Sequence, residues 1–409
     1  MRSLGALLLI ALATASCQGD SGVARPDIVI ASAFSTTAFG VPARLGEQAV
    51  DFAVRQQSSI DGLALAYQPY DNSMGSEQNQ LVARRNVRRM IADSSVLGVV
   101  GPDSSLNAFV ELPEANMAPL AMVSPTATNE CVTQPKPYCG LAVPDLRPSG
   151  SITFFRISPR DPLQGRAMAD YAVTHLGVTK VAAFNEYGDQ GNRYIEELSD
   201  ELHSKGADLV YKQDLPEGTV KFSDFLKAAK NLGANAVYAV ANGDQNACVA
   251  AQQMSALMPK AIFLTMDGVT FDTQNCIPQS GTSPPEIWAT LAAVAPIVTT
   301  DPAVMKRAQA FLSAYPEKAF DQATTEYVLA AYDAARIVIE AIAIAVQANG
   351  GHLPKRSEVV TALATHTFVE ATGTYTFDSN GDAVAPMMSV YRVQGSRWVF
   401  ANVYTFAAQ

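Results

Sequence analysis

Residues 97–129 read LGVVGPDSSLNAFVELPEANMAPLAMVSPTATN, and this stretch decides the fold. Two short apolar runs, residues 97–100 and 120–123, have the length and composition of buried strands, and each stops abruptly in a polar loop. Such loops sit at the carboxyl ends of parallel strands, where open α/β sheets bind their ligands. After the first run Gly101 and Pro102 break the strand. Asp103, Ser104 and Ser105 then lead into a helical stretch, so that backbone N–H groups and hydroxyls gather at a helix N-terminus suited to an anion. After the second run, Ser124, Pro125, Thr126, Ala127, Thr128 and Asn129 offer hydroxyls and a backbone carbonyl in a loop stiffened by proline. These groups suit an ammonium or a second carboxylate contact, and the two loops together suit a zwitterion.

The GPDSS and SPTATN segments, with their spacing, resemble the paired ligand loops of the periplasmic leucine/isoleucine/valine-binding protein family, the type I solute-binding proteins of ABC importers. The similarity covers nearly the whole mature chain. It implies an α/β fold of two Rossmann-like lobes with parallel sheets, joined by a three-segment hinge and closing on a ligand as a Venus flytrap. Residues 27–157 with 290–372 are expected to form the N-terminal lobe, and 158–289 with 373–409 the C-terminal lobe.

The resemblance also implies a ligand set. Ser104 and Ser105 would hold an α-carboxylate, while Thr126 (through its carbonyl), Thr128 and Asp267 would hold the ammonium group. Phe39 takes the place of an aromatic that packs on the ligand side chain, although a lone Phe in a loop is more often a core residue. In NEYGDQG, residues 185–191, the family's aromatic before the final glycine is replaced by Gln190, and Asn242 stands where several relatives place a tyrosine. Asp267 is one methylene shorter than the glutamate of the branched-chain binders. Losing ring contacts at Gln190 and Asn242 removes apolar surface and adds hydrogen-bonding groups that need partners. A polar or small amino acid, or an amide-bearing relative, is therefore expected; Tyr187 turned inward would restore an aromatic wall and an apolar ligand.

Composition agrees with an exported α/β protein. The chain has 409 residues, long enough for two or three domains, with 48% hydrophobic residues and a net charge of -10. That acidity argues against nucleic acid or an anionic membrane surface as the main partner, and solubility is the simpler reading of it. Residues 1–17 form a processing segment: Arg2 is followed by an apolar run over residues 4–13 and by Thr14-Ala15-Ser16-Cys17. The last four resemble a lipobox in which Cys17 becomes the acylated N-terminus. Thr14 departs from the usual leucine, which leaves ordinary secretory cleavage as the alternative. Residues 18–26 read as a tether.

Four further cysteines fit an oxidising compartment. Proximity in sequence pairs Cys131 with Cys139 and Cys248 with Cys276, buried free thiols being the other reading. Neither spacing is that of a redox or zinc motif.

The remaining chain alternates strand and helix patterns. Helices are expected over residues 46–55, 76–91, 192–205, 222–232, 245–257, 301–315, 325–349 and 357–364. Near the end, Phe377-Asp378-Ser379-Asn380-Gly381-Asp382 resembles the family's late FDxNGD turn, and Asn380-Gly381 is a hairpin signal by itself. A calcium loop is the sharper alternative for Asp378 and Asp382, but the EF-hand spacing and its closing glutamate are absent.

The expected function is capture of a small solute, an amino acid or similar carboxylate, for delivery to an ABC permease from an extracytoplasmic, lipid-anchored position. No cofactor, metal or catalytic residue is expected, since no nucleophile elbow, P-loop or zincin motif occurs. The rival readings are a sensory lipoprotein using the same cleft, and a non-amino-acid amide or aromatic carboxylate as ligand.

Overall fold

A computed structural model describes residues 26–241, 246–269, 276, 285–293, 301–315, 322–395 and 397–406. The leader with Cys17, and Asn242 in the later loop, lie outside the described residues.

The first strand, β1 (Ile28–Phe34), is buried along its whole length. A strand covered on both faces must be apolar throughout, which is why its sequence, IVIASAF, shows no alternation. It lies within a six-stranded sheet with β2 (Ser59–Ile60), β3 (Leu63–Asp71), β6 (Val96–Val100), β7 (Ala121–Ser124) and β8 (Phe154–Arg156). The order is β2-β3-β1-β6-β7-β8, parallel except where β2 meets β3. A small hairpin, β4 (Ser73–Met74) with β5 (Glu77–Gln78), stands beside it.

Helices cover both faces of this sheet. On one face α1 (Val41–Gln57) and two later helices, α10 (Gln322–Ala348) and α11 (Arg356–Thr365), pack against Ile28, Ile30, Val100 and Val123. On the other, α2 (Gln80–Ala92) and α3 (Ser105–Met117) pack against Val29, Ala31, Val99 and Met122. The approach of α10 to the sheet is close: a Cβ on Gly98 would stand 2.5 Å from Val338 Cγ1. Helix α2 starts at Gln80 rather than at residue 76, because the Asn79 side chain caps it by accepting from the N–H groups of Leu81 and Val82, while residues 77–78 are drawn into the hairpin.

The second sheet has seven strands in the order β10-β9-β11-β12-β13-β16-β17. Strands β9 (Lys180–Asn185), β10 (Asp208–Asp214), β11 (Ala236–Val240), β12 (Ile262–Thr265) and β13 (Ile287–Leu291) run parallel, and β16 (Met387–Gln394) and β17 (Arg397–Thr405) add antiparallel at the far edge. Helices α5 (Pro162–Leu176) and α6 (Gly188–Ser204) cover one face through Met168, Tyr194, Leu198 and Leu202. Helices α7 (Ser223–Asn231) and α8 (Cys248–Leu257) cover the other through Phe225, Leu226, Ala250 and Met254. The molecule is thus two α/β lobes with mostly parallel sheets.

The chain passes between the sheets three times: from β8 to α5, beyond β13 towards α9 (Pro302–Ala314), and from the hairpin β14 (Phe368–Val369) and β15 (Thr374–Tyr375) to β16. A short helix, α4 (Val143–Leu146), lies between β7 and β8. The first and third passages are locked together by a buried ion pair. Arg156 Nε donates to Asp382 Oδ1 at 2.6 Å, and the same guanidinium reaches the carbonyls of Ala127 and Asn129. Asp378 accepts from the backbone N–H groups of Asn380 and Asp382, so both acidic side chains of the FDSNGD turn are engaged by N–H donors. Gly381 has φ 87°, and a Cβ there would meet Phe154 O at 2.1 Å, so only glycine fits.

Candidate functional site

The loops that leave β6 and β7 are laced to one another. Ser124 Oγ donates to Pro102 O at 2.6 Å, Thr126 Oγ1 donates to Asp103 O at 2.7 Å, and the Asn129 N–H donates to Ser105 Oγ at 3.1 Å. Ser104 caps α3, its Oγ accepting from the Leu106 N–H at 3.2 Å and donating to Gln78 Oε1. Asp103 is fastened to the end of β1: its carboxylate accepts from the Ser35 N–H at 2.7 Å and from Ser35 Oγ at 3.1 Å. Burial pushes its acid up to about 7 despite those bonds. Gly101, at φ 122°, lets this loop pass close to β1, since a Cβ would lie 2.7 Å from Ala33 O.

The opposing lobe brings a cluster of acids and phenols. The Asp161 N–H donates to Thr128 O at 2.9 Å, which ties the SPTATN loop to the entrance of α5. Asp161 does not cap its own helix; its carboxylate accepts from Gln190 Nε2 at 3.2 Å instead. Burial raises its pKa, and Thr128, Tyr194 and Gln190 offset part of that. Asp267 follows β12, and its N–H donates to Gln164 Oε1 at 3.0 Å, the oxygen that also accepts from Thr290 Oγ1. Burial, and then the charge of Asp161, push the Asp267 acid up to about 7. The phenols of Tyr187 and Tyr194 are held neutral by burial and by these carboxylates.

The turn that carries Tyr187 and Gln190 is built by Asn185. Its Oδ1 accepts from the Tyr187 N–H at 2.8 Å, and its Nδ2 donates to Gly188 O at 2.8 Å and to Asp214 Oδ1 at 2.8 Å. A Cβ on Gly191 would collide with that Oδ1, which explains the glycine. Because this turn is so tight, α6 begins at Gly188, four residues before the sequence pattern suggests, and Gln190 stands in its first turn.

Of the residues singled out in the sequence, the structure therefore brings Ser105, Thr126 and Thr128 into one laced loop pair, and Gln190, Tyr187 and Asp267 around Asp161. Phe39 sits apart in the turn after β1, 44% exposed, its N–H bonded to Ser35 O. Cys131 and Cys139 are joined in a disulfide with Cα atoms 5.7 Å apart, and Cys248 and Cys276 in another at 4.2 Å.

Sequence reading missed Asp161, Gln164, Tyr194 and Glu130. Glu130 precedes the first disulfide in the N-terminal lobe, and its side chain is 4% exposed. It accepts from Tyr138 and is paired with Arg160 at 3.2 Å and with Arg193 of α6 at 3.4 Å. No local pattern marks it, because its charged partners, Arg160 and Arg193, come from distant parts of the chain. The position of Asp161 at a helix entrance was visible, but it reads as an ordinary cap.

Two parallel-sheet lobes, loops facing one another from the carboxyl ends of both sheets, and a hinge of three passages define a solute-binding protein of the two-lobed type. The chain belongs to the periplasmic binding protein family, whose model matches residues 32–397. This is a family of extracytoplasmic solute-binding proteins and not of enzymes. Among the described residues no helix is long and apolar enough to cross a membrane.

The chain is 25% identical over 392 residues to the Leu/Ile/Val-binding protein homolog 3 of Brucella melitensis, covering 94% of this chain and 96% of that one. It resembles in fold a leucine-binding protein from Thermotoga maritima, with TM-score 0.68 at 20% identity, over 92% of this chain and 98% of that one. A solute-binding protein of an ABC transporter from R. palustris, in complex with 4-hydroxybenzoate, is similar with TM-score 0.69 at 17% identity, over 93% and 97% of the two chains.

Proposed function

We propose that this protein is the solute receptor of an ABC importer and that it captures an amino acid between its lobes, presenting the closed form to a permease. The observation that carries the reading is Asp267, a half-buried acid just beyond a C-terminal-lobe strand, in a cleft whose other wall is the laced pair of loops with the N-terminus of α3. Desolvation and the charge of Asp161 hold its pKa up, and an α-ammonium group beside it would favour the ionised form. The helix N-terminus with the Ser105 hydroxyl, which accepts from Asn129 and keeps its own proton to donate, suits the α-carboxylate. The relatives named for leucine and for leucine, isoleucine and valine support an amino acid.

Ligand that touches both lobes stabilises the closed form by its differential affinity for it, which makes the bound state legible to a membrane partner. Acylation of Cys17 would hold the receptor at the membrane. A second reading, an aromatic carboxylate without an ammonium group, is favoured by the relative that binds 4-hydroxybenzoate.

A thermal-shift titration of the purified protein against amino acids and benzoates separates the two. Ligand at about a hundred times its dissociation constant adds about 2.7 kcal/mol, enough to move the midpoint visibly. A shift with amino acids supports the first reading, and a shift with benzoates alone replaces it with the second.

A further inference from the structure

Glu186 directly follows β9, and Asn246 stands in the helical turn that opens α8, both beyond the carboxyl ends of C-terminal-lobe strands. They are 8% and 7% exposed. Asn246 Nδ2 donates to Glu186 Oε2 at 2.5 Å, and that bond fixes the orientation of the amide, since the flipped form would set oxygen against oxygen. The bond leaves Glu186 Oε1 and Asn246 Oδ1 buried and without a hydrogen-bond partner of good geometry, the Gly218 backbone N–H being the one further donor that acts on the Glu186 carboxylate. Both orphaned atoms are acceptors. A carboxylate or an aliphatic group placed there leaves them unpaired, which is costly in a water-excluded site, whereas an N–H donor satisfies them.

The charge that acts on Glu186 is that of Glu217, also negative. The carboxylates of Asp161, Glu186, Glu217 and Asp267 all act on the Tyr187 phenol. Arg193 is paired with Glu130 and Glu196, and Arg160 with Glu130 and Asp382. An amino acid with one ammonium group compensates Asp267 alone.

We propose that the ligand carries a second cation, a guanidinium or ammonium at the end of its side chain, received by Glu186 Oε1 and Asn246 Oδ1. The inference rests on the amino-acid reading above and narrows it to basic amino acids. Glu186 supplies the countercharge, and Asn246 both orients that carboxylate and accepts from a second N–H of the same group. The arrangement favours a forked or multiply donating head over a single hydroxyl.

The test is calorimetric titration of the purified protein with L-arginine, L-lysine, L-leucine and 4-hydroxybenzoate, repeated with Glu186→Gln. The expected result is that arginine or lysine binds about tenfold or more tighter than leucine, and that the substitution removes most of that preference. Leucine binding as tightly as arginine and lysine, or an unchanged preference in Glu186→Gln, overturns the proposal and makes the pair a neutral structural bridge, with the amino-acid reading intact. Binding of 4-hydroxybenzoate alone overturns both. The preference measured on the unsubstituted protein decides the matter even if the variant fails to fold.

Discussion

Arg156 and Asp382, 226 residues apart in the chain, form a salt bridge of 2.6 Å in which the arginine side chain is fully buried. The pair fastens the first passage between the lobes to the third. Asp382 also accepts from Thr133 and Gln134, so its carboxylate serves as the junction of three segments. Burial works against its charge, but Arg156, its hydrogen bonds and Arg160 outweigh burial and hold the acid below its ordinary value.

Removing one partner strands the other charge in the interior. Arg156→Met is expected to destabilise the protein by about 3–5 kcal/mol, measured by denaturant unfolding. Because the folded-state pKa of Asp382 is lowered, its contribution is fully present at neutral pH and is lost as pH falls from the ordinary 3.8 through the lower folded value. A variant as stable as the parent would show that the passages do not depend on this pair.

The contact between Glu130 and Arg193 closes the cleft from lobe to lobe. Arg193 is partly exposed, so the pair is worth about 1 kcal/mol, and Arg193→Ala is expected to weaken ligand binding about fivefold by favouring the open form. Small-angle scattering of the empty variant should give a larger radius of gyration than the parent. Equal radii and equal affinity would remove the latch.

The disulfide between Cys131 and Cys139 closes the loop that carries Glu130 and Tyr138 at its ends. With a sequence separation of 8 residues, its loss is expected to cost about 2.5 kcal/mol on the chain-entropy account. A Cys131→Ser, Cys139→Ser double variant should melt lower and also bind ligand more weakly, because the latch residue loses its support. A lower melting point with unchanged affinity would separate the bridge from closure.

Asp267 predicts a dependence on pH in two directions. Its pKa is raised from 3.8 to about 7, so the folded empty protein holds a proton that the unfolded chain releases. This group therefore lowers the stability of the empty protein as pH rises from about 4 to about 7. An ammonium ligand needs the ionised acid, so its affinity should strengthen across the same window. Calorimetry at about pH 5 and about pH 8 checks the sign, and Asp267→Asn should flatten the dependence, Asp103 titrating in the same window, while weakening amino-acid binding about tenfold to a hundredfold. A ligand whose affinity ignores pH would dissociate Asp267 from the ammonium site.

Much of the architecture was legible in the chain itself. The apolar runs at residues 97–100 and 120–123 became β6 and β7, near-uniformly buried, because a parallel strand covered on both faces leaves an uninterrupted hydrophobic signature. Helix limits were less legible. Residues 76–79 have helical composition, yet a side-chain cap at Asn79 and a two-residue hairpin compete locally and win. Gln190 reads as a loop residue because the Asn185 turn that starts α6 early is a matter of geometry and not of periodicity.

What the sequence determined by itself is what depends on near neighbours: the strand–loop–helix order, the loops at strand ends, the glycines in turns and the carboxyl and hydroxyl groups placed there. What only the tertiary structure decided is which of those groups meet. Asp161 faces Gln190 and lies beside Asp267, Glu130 finds Arg193, and Arg156 finds Asp382 across 226 residues. A carboxylate becomes a ligand site, a latch or a hinge pin according to its burial and the sign of the charge a few ångströms away. Neither quantity is a property of the local chain; both arise only when the two sheets have packed and the lobes have turned their loops towards each other.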